Sequence, residues 1–197
     1  MEVGIIILAA GESKRMGIPK QLLDVNGKSL LLNVIDSALD TSCYPVTVVV
    51  GAHKKAIVPV LKDLPINIVD NPRWESGMAG SIKMGMVGSY LLSKTIEAVI
   101  ITTSDMPEVS SSVLKTLIEK ARATNANIIT SKYNDAIGVP ALIKRPFFEE
   151  LLNLEGDQGA RQIFKKYKNE LVSIDFNGGA IDLDTKEDYY NYINSQN

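Results

Sequence analysis

Cysteine is almost missing. Cys43 is the only one in 197 residues. That excludes an internal disulfide and a metal site built from several cysteines. An excess of one charge is also lacking. Lys and Arg number 21 and Asp and Glu 23, a net charge of −2, which argues against a general nucleic-acid binder. No apolar stretch reaches the length of a membrane span. The first residues, MEVGIIILAAG, carry no basic region, and their apolar run breaks at Gly11, unlike a signal peptide. Together these absences lead to the expectation of a cytoplasmic protein with no membrane partner. No internal repeat, low-complexity tract or linker is visible, so residues 1–197 are expected to form one domain. What is present is ordinary for a chain with a core: 45% hydrophobic and 22% charged residues.

The apolar pattern alternates between two periods. Val3 to Ala9 is a continuous apolar run, as expected of a strand buried on both faces. Further strands are expected at Pro45 to Gly51, Ile66 to Asp70, Glu97 to Asp105 and Ala126 to Tyr133. Helical spacing is visible over Ser29 to Leu39, Ala79 to Leu92 and Ser111 to Ala123. After Tyr133 the rhythm changes to a short strand, two short helices split around Gly156 to Gly159, late strands at ELVSIDF and AIDLD, and a closing helix over Thr185 to Ile193. The alternation predicts an α/β fold, three-layered and Rossmann-like, with a mostly parallel central sheet. Ligands of such sheets sit at the carboxyl ends of the strands. That rule selects Ala9 to Lys20, Gly51 to His53, Asp70 to Ser81 and Ser104 to Pro107.

The segment LAAGESKRMGIPKQLL, Leu8 to Leu23, follows the first strand. A bend at Ala9–Ala10–Gly11 lets backbone N–H groups approach a ligand, and phosphates are the usual ligand of such loops. Arg15 offers a planar fork and Lys20 a mobile point charge. The loop is neither G-x-x-x-x-G-K-[ST] nor G-x-G-x-x-G. The competing reading is a solvated basic surface loop. Asp105, at the end of the fourth expected strand, either caps the following helix or faces the strand-end crevice as a Mg²⁺ ligand together with Asp184. Asp182 is the alternative to Asp184, since strand alternation would put both on one face. His53 reads as a loop or helix-start residue. Trp74 either stacks on a ligand or buries apolar area. Met78, Met84 and Met86 read as a helix packing face, and Cys43 as a small core or near-surface residue.

Five motifs in order resemble one family. The loop LAAGESKRMGIPK is similar to the signature L-A-A-G-x-S-x-R-M-G-x-x-K of nucleotidyltransferases. NPRWESGMAGSIKMG, SDMP, GVPALIKRPFFEELLNLEGDQGAR and IDLDTKEDYY each look like a further motif of the molybdenum cofactor cytidylyltransferase branch, close to the molybdopterin guanylyltransferases. The resemblance covers nearly the whole chain. It implies transfer of CMP from CTP to the terminal phosphate of molybdopterin, with release of pyrophosphate. Phosphate nucleophiles are already anionic, so no general base is needed.

By the same resemblance, Leu8, Ala9, Ala10, Gly11, Ser13, Arg15, Lys20, Gly77, Ser81 and Asp105 bind the nucleotide. Arg15, Lys20 and Asp105 are catalytic, and Asp105 and Asp184 hold Mg²⁺. Gly138, Pro140, Gly156, Asp157, Gly159 and Arg161 face the acceptor. Ala9–Ala10–Gly11, in place of the paired glycine of guanylyltransferases, and Ser81 favour cytidine. The partners implied are CTP or another nucleoside triphosphate, molybdopterin or another phosphorylated acceptor, and a molybdoenzyme that receives the product. A sugar-phosphate acceptor, or a non-catalytic nucleotide- or cofactor-binding chaperone, are the alternatives. The chain departs from the pattern at Gly80, Ile143 and Lys186, and lacks a polar residue before Pro140.

Overall fold

The computed structural model describes residues 1–196. The chain runs β1 (Val3–Ala9), β2 (Asp24–Val25), β3 (Lys28–Ser29), α1 (Leu30–Leu39), β4 (Val46–Val50), α2 (Lys54–Leu61), β5 (Asn67–Asp70), α3 (Met78–Leu92), β6 (Ala98–Thr103) and α4 (Ser111–Ala123). It continues through β7 (Ile128–Tyr133), β8 (Ala136–Lys144), α5 (Phe148–Leu152), α6 (Arg161–Lys166), β9 (Leu171–Asp175) and α7 (Lys186–Ser195). Seven strands form one sheet in the order β5-β4-β1-β6-β8-β7-β9. Only β8 is antiparallel to its neighbours. No described helix is long and apolar enough to cross a membrane.

Alternation along β1 explains the three layers. Ile5, Ile7 and Ala9 belong to one buried cluster with Leu31, Ile57 and Leu114 of α1, α2 and α4. Ile6, Leu8 and Ala10 belong to the other, with Ile82, Leu151 and Phe164 of α3, α5 and α6. Successive side chains point to opposite faces, so an unbroken apolar run is what a strand between two helical layers requires. Gly85 lets α3 settle on the sheet, since a Cβ there would meet Ile6 at 2.5 Å. A third, smaller cluster joins Leu183 and Tyr192 to Val25 and Leu30. It carries the C-terminal segment back to the mouth of β1.

The strand order reverses at β1. The chain leaves β1 towards β4 and β5, then returns through α3 to β6 on the other side of β1. Such a reversal opens a crevice outside the strand ends, here between the loops after β1 and β6. The Ser104 N–H donates to the Leu8 carbonyl (3.1 Å) and draws the two loops together.

Three sequence expectations need correction. AIDLD is not a strand. Residues Asn177–Ala180 form a 3₁₀ turn, and the following stretch is irregular, with Leu183 buried beneath α7. Asp182 and Asp184 therefore reach the crevice on a loop, not by strand alternation. The helix α2 was not anticipated, because it contains Pro59, which removes an N–H donor and reads as a breaker. Capping of α4 falls to Ser110, whose side chain accepts from Val113 N–H, so Asp105 is not the cap.

Candidate active site

The crevice is a cleft of about 830 Å³. All ten residues expected at a nucleotide line it: Leu8, Ala9, Ala10, Gly11, Ser13, Arg15, Lys20, Gly77, Ser81 and Asp105. Asp182, Asp184 and Asp157 line it as well. The N-terminus of the 15-residue α3 opens onto it through Gly77, Met78 and Ser81, where the helix dipole favours negative charge.

The loop after β1 is held from beneath. Gln21 is buried, and its amide donates to the carbonyls of Ala9 (3.2 Å) and Gly11 (3.0 Å). Its Oε1 accepts from the Ser13 hydroxyl at 3.5 Å. Ser13 Oγ in turn accepts the Lys20 N–H at 3.2 Å. From the side, His53 Nε2 donates to the Glu12 carbonyl at 2.7 Å. Ser13 has φ 58°, the left-handed conformation that such a bend needs. Among the described residues, no acceptor takes the amides of Gly11, Glu12, Ser13, Lys14 or Arg15. Five unused donors above a fixed bend form a cradle for an anion.

Charge is concentrated at one point of the cleft. Lys20 Nζ lies 2.6 Å from Asp105 and 2.7 Å from Asp184, with Asp182 at 3.9 Å. Arg15 binds the second oxygen of Asp184. Burial pulls the Lys20 ammonium down, but the Asp105 charge and hydrogen bonds to Asp105 and Asp184 hold it above its ordinary value. Burial pushes the Asp105 carboxyl up, but the Lys20 charge and hydrogen bonds from Lys20 and Thr103 hold it below the usual range. Asp182 is pushed up to about 7, by desolvation first and then by the charge of Asp105. The three carboxylates bring ligand atoms within 4.8 Å of one another. An all-oxygen donor set suits a hard cation such as Mg²⁺ or Mn²⁺.

The other side of the cleft is built around Gly77. It has φ 108°, and a Cβ there would lie 2.2 Å from the Gly156 carbonyl oxygen. The Ala79 N–H donates to that same oxygen at 3.1 Å. So the loop of residues 153–160 rests on the start of α3 and presents Asp157 to the cleft. Gly159 faces the Met78 sulfur. Arg161 is turned away from the lining and donates to the Tyr133 hydroxyl at 2.8 Å, beside Gly138. Pro140 is buried within β8, where its carbonyl accepts the Ser131 hydroxyl. Of the six residues expected at the acceptor, only Asp157 lines the cleft; Gly156 and Gly159 position its loop.

Other readings separate in the same way. His53 starts α2, as expected of it. Trp74 is half-buried and both packs against the core and lines the cleft. Met84 and Met86 pack on the core, but Met78 is exposed at the cleft and does not belong to a packing face. Cys43 is half-buried, and burial pushes its thiol up. Sequence reasoning missed Gln21, Thr103 and Asn71. Asn71 is buried and donates to Ser81 Oγ at 3.0 Å, which leaves the serine proton to donate into the cleft.

A family model described as the MobA-like NTP transferase domain matches residues 5–171. The bifunctional protein GlmU of Nitrosomonas europaea is 29% identical over 201 residues, covering 96% of this chain but 43% of its own length. This chain thus spans less than half of that relative. Nicotine blue oxidoreductase of Paenarthrobacter nicotinovorans is 28% identical over 202 residues, covering 95% of both chains. Among solved structures, Rv0371c of Mycobacterium tuberculosis in complex with manganese superposes with a TM-score of 0.83, at 22% identity, over 99% of this chain and 100% of that one.

Proposed function

Because the chain belongs to the MobA-like NTP transferase family, we propose that it transfers a nucleotidyl group from a nucleoside triphosphate to a phosphorylated acceptor, releasing pyrophosphate. The observation that carries this reading is the meeting of Lys20, Arg15, Asp105 and Asp184 beneath a loop with five unused amides. Such a site can hold a triphosphate and a hard cation together. We further propose CTP as donor and molybdopterin as acceptor, in one domain.

The acceptor phosphate attacks the α-phosphorus in line, and pyrophosphate leaves. No covalent intermediate and no general base are needed, so orientation and charge neutralisation supply the rate. The amides of Gly11 to Arg15 receive phosphate oxygens. Lys20 and Arg15 neutralise the β- and γ-phosphates and the departing pyrophosphate. Asp105 and Asp184, with Asp182 beside them, would hold Mg²⁺. Bound there, the ion supplies charge neutralisation at the phosphates. Ser81 offers a donor to the acceptor atoms of a cytosine edge, and Asn71 fixes its orientation.

The full-length likeness to nicotine blue oxidoreductase supports a second reading, redox chemistry at the same cleft. The charge cluster and amide cradle favour a phosphate ligand. A panel of CTP, GTP, ATP and UTP with Mg²⁺, assayed for pyrophosphate with molybdopterin or a sugar phosphate, tests the first reading. Pyrophosphate release with CTP and molybdopterin is expected. Release with none of the pairs would overturn nucleotidyl transfer.

A further inference from the structure

Among the described residues, one group of three acidic side chains converges closely enough to hold a metal: Asp105, Asp182 and Asp184. A cation of the chain itself already sits on it. The Lys20 ammonium contacts Asp105 at 2.6 Å and Asp184 at 2.7 Å, and Asp182 lies 3.9 Å away. Contacts this short are charge-assisted hydrogen bonds. They set a positive charge against any second cation that approaches the same oxygens. Arg15 takes the other oxygen of Asp184. Two cations of the chain therefore already offset two of the three carboxylate charges.

We propose that Lys20 is an internal counter-cation that keeps a bare divalent ion out of this cluster, so the site accepts its metal as a chelate with a nucleoside polyphosphate. The inference rests on the nucleotidyl-transfer reading and deepens it by naming the form of the ligand. A bare ion would face an ammonium fixed on two of its ligands. Driving Lys20 away without a new partner would strand its charge, since its side chain is only 14% exposed. A polyphosphate changes that balance. Its oxygens lie on the amide cradle of the same loop, and the flexible lysine stem lets Nζ pass from carboxylate to phosphate. The backbone of Lys20 stays anchored meanwhile through its N–H to Ser13 Oγ. Metal and polyphosphate then favour each other's binding, and the coupling is reciprocal.

The experiment is a titration of the whole protein with Mn²⁺, followed by electron paramagnetic resonance of the free ion. It is run on the unmodified chain, Lys20→Met and Lys20→Arg, with and without an α,β-methylene CTP analogue. Chelation of Mn²⁺ by the analogue is measured separately and subtracted. Without analogue, Lys20→Met is expected to bind Mn²⁺ about tenfold or more tighter than the unmodified chain, and Lys20→Arg to stay close to the unmodified chain. With analogue, the unmodified chain is expected to gain about tenfold in Mn²⁺ affinity, and Lys20→Met little. Equal Mn²⁺ affinity of Lys20→Met and the unmodified chain overturns the proposal. Should Lys20→Met fail to fold, the unmodified chain decides: Mn²⁺ affinity unaffected by the analogue overturns it. If Lys20→Met gains Mn²⁺ affinity but no variant binds the analogue, exclusion by Lys20 is upheld and nucleotidyl transfer fails. If the analogue binds and Lys20→Met gains nothing, exclusion fails and nucleotidyl transfer stands.

Discussion

The two loops that face each other across the cleft are held in different ways. Residues 10–20 are tied by Gln21 to Ala9, Gly11 and Ser13, by His53 to Glu12, and by Lys20 to Ser13. Residues 155–158 have one backbone bond to the body, from the Ala79 N–H to the Gly156 carbonyl, and a small internal turn between Glu155 and Gln158. The first loop is a rigid set of donors, suited to a triphosphate, which is the same in every nucleotide. The second, strung between buried Leu154 and Ala160, touches the start of α3 at Gly77 and carries the exposed residues 155–158 over the cleft. On the proposed function, acceptor choice would belong with the second, because a lightly tied loop can differ without disturbing the phosphate cradle.

Four measurements break or sharpen that contrast. Lys20→Ala removes the charge that leaves the carboxylates for phosphate, and turnover is expected to fall roughly 10²–10³-fold. A steady-state pyrophosphate assay reads it, and unchanged kcat and KM would take Lys20 out of the site. Gln21→Leu should cost turnover roughly tenfold and stability about 1–3 kcal/mol, because the Ala9 and Gly11 carbonyls lose their donor. The acceptor KM should stay constant in that variant. Denaturant titration and paired KM measurements check both.

Gly77→Ala should strain the backbone by about 1–3 kcal/mol and push the Gly156 loop aside. Its signature is a raised acceptor KM with a smaller change in nucleotide KM, the reverse of Gln21→Leu. The smallest effect concerns pH in the presence of chelator. The folded-state pKa of Asp182 is raised to about 7, above an unfolded value of about 3.9. Its stabilising contribution is therefore complete below about pH 3.9 and is lost as pH rises through about 7. Asp182→Asn should flatten that part of the melting-temperature profile.

Much of this was legible in the sequence. The run Val3–Ala9 is apolar throughout, since both neighbouring strands and both helical layers demand it. The phosphate loop was legible through Gly11, Arg15 and Lys20, whose types fit few roles other than phosphate contact. The AIDLD stretch misled because Leu183 alone is buried there while its neighbours are exposed or half-buried, a pattern that alternation mimics. The hairpin β2–β3 turns on Asn26-Gly27, both at positive φ, and its Asn-Gly signal was present but unread. Gln21 was hidden for a different reason. A buried glutamine looks like a surface one until the carbonyls it serves are known. Arg161 was expected near the acceptor by its motif, but its bond to Tyr133 depends on the missing side chain of Gly138, where a Cβ would meet the tyrosine hydroxyl at 2.0 Å.

The most direct test of nucleotidyl transfer at this cleft is pyrophosphate release by Asp105→Ala. The assay uses saturating CTP, Mg²⁺ and molybdopterin, with the unmodified chain alongside. Loss of release, with nucleotide still bound through the loop of residues 10–20, is the expected result. Release by Asp105→Ala at the rate of the unmodified chain would contradict the assignment of the carboxylate cluster to the reaction.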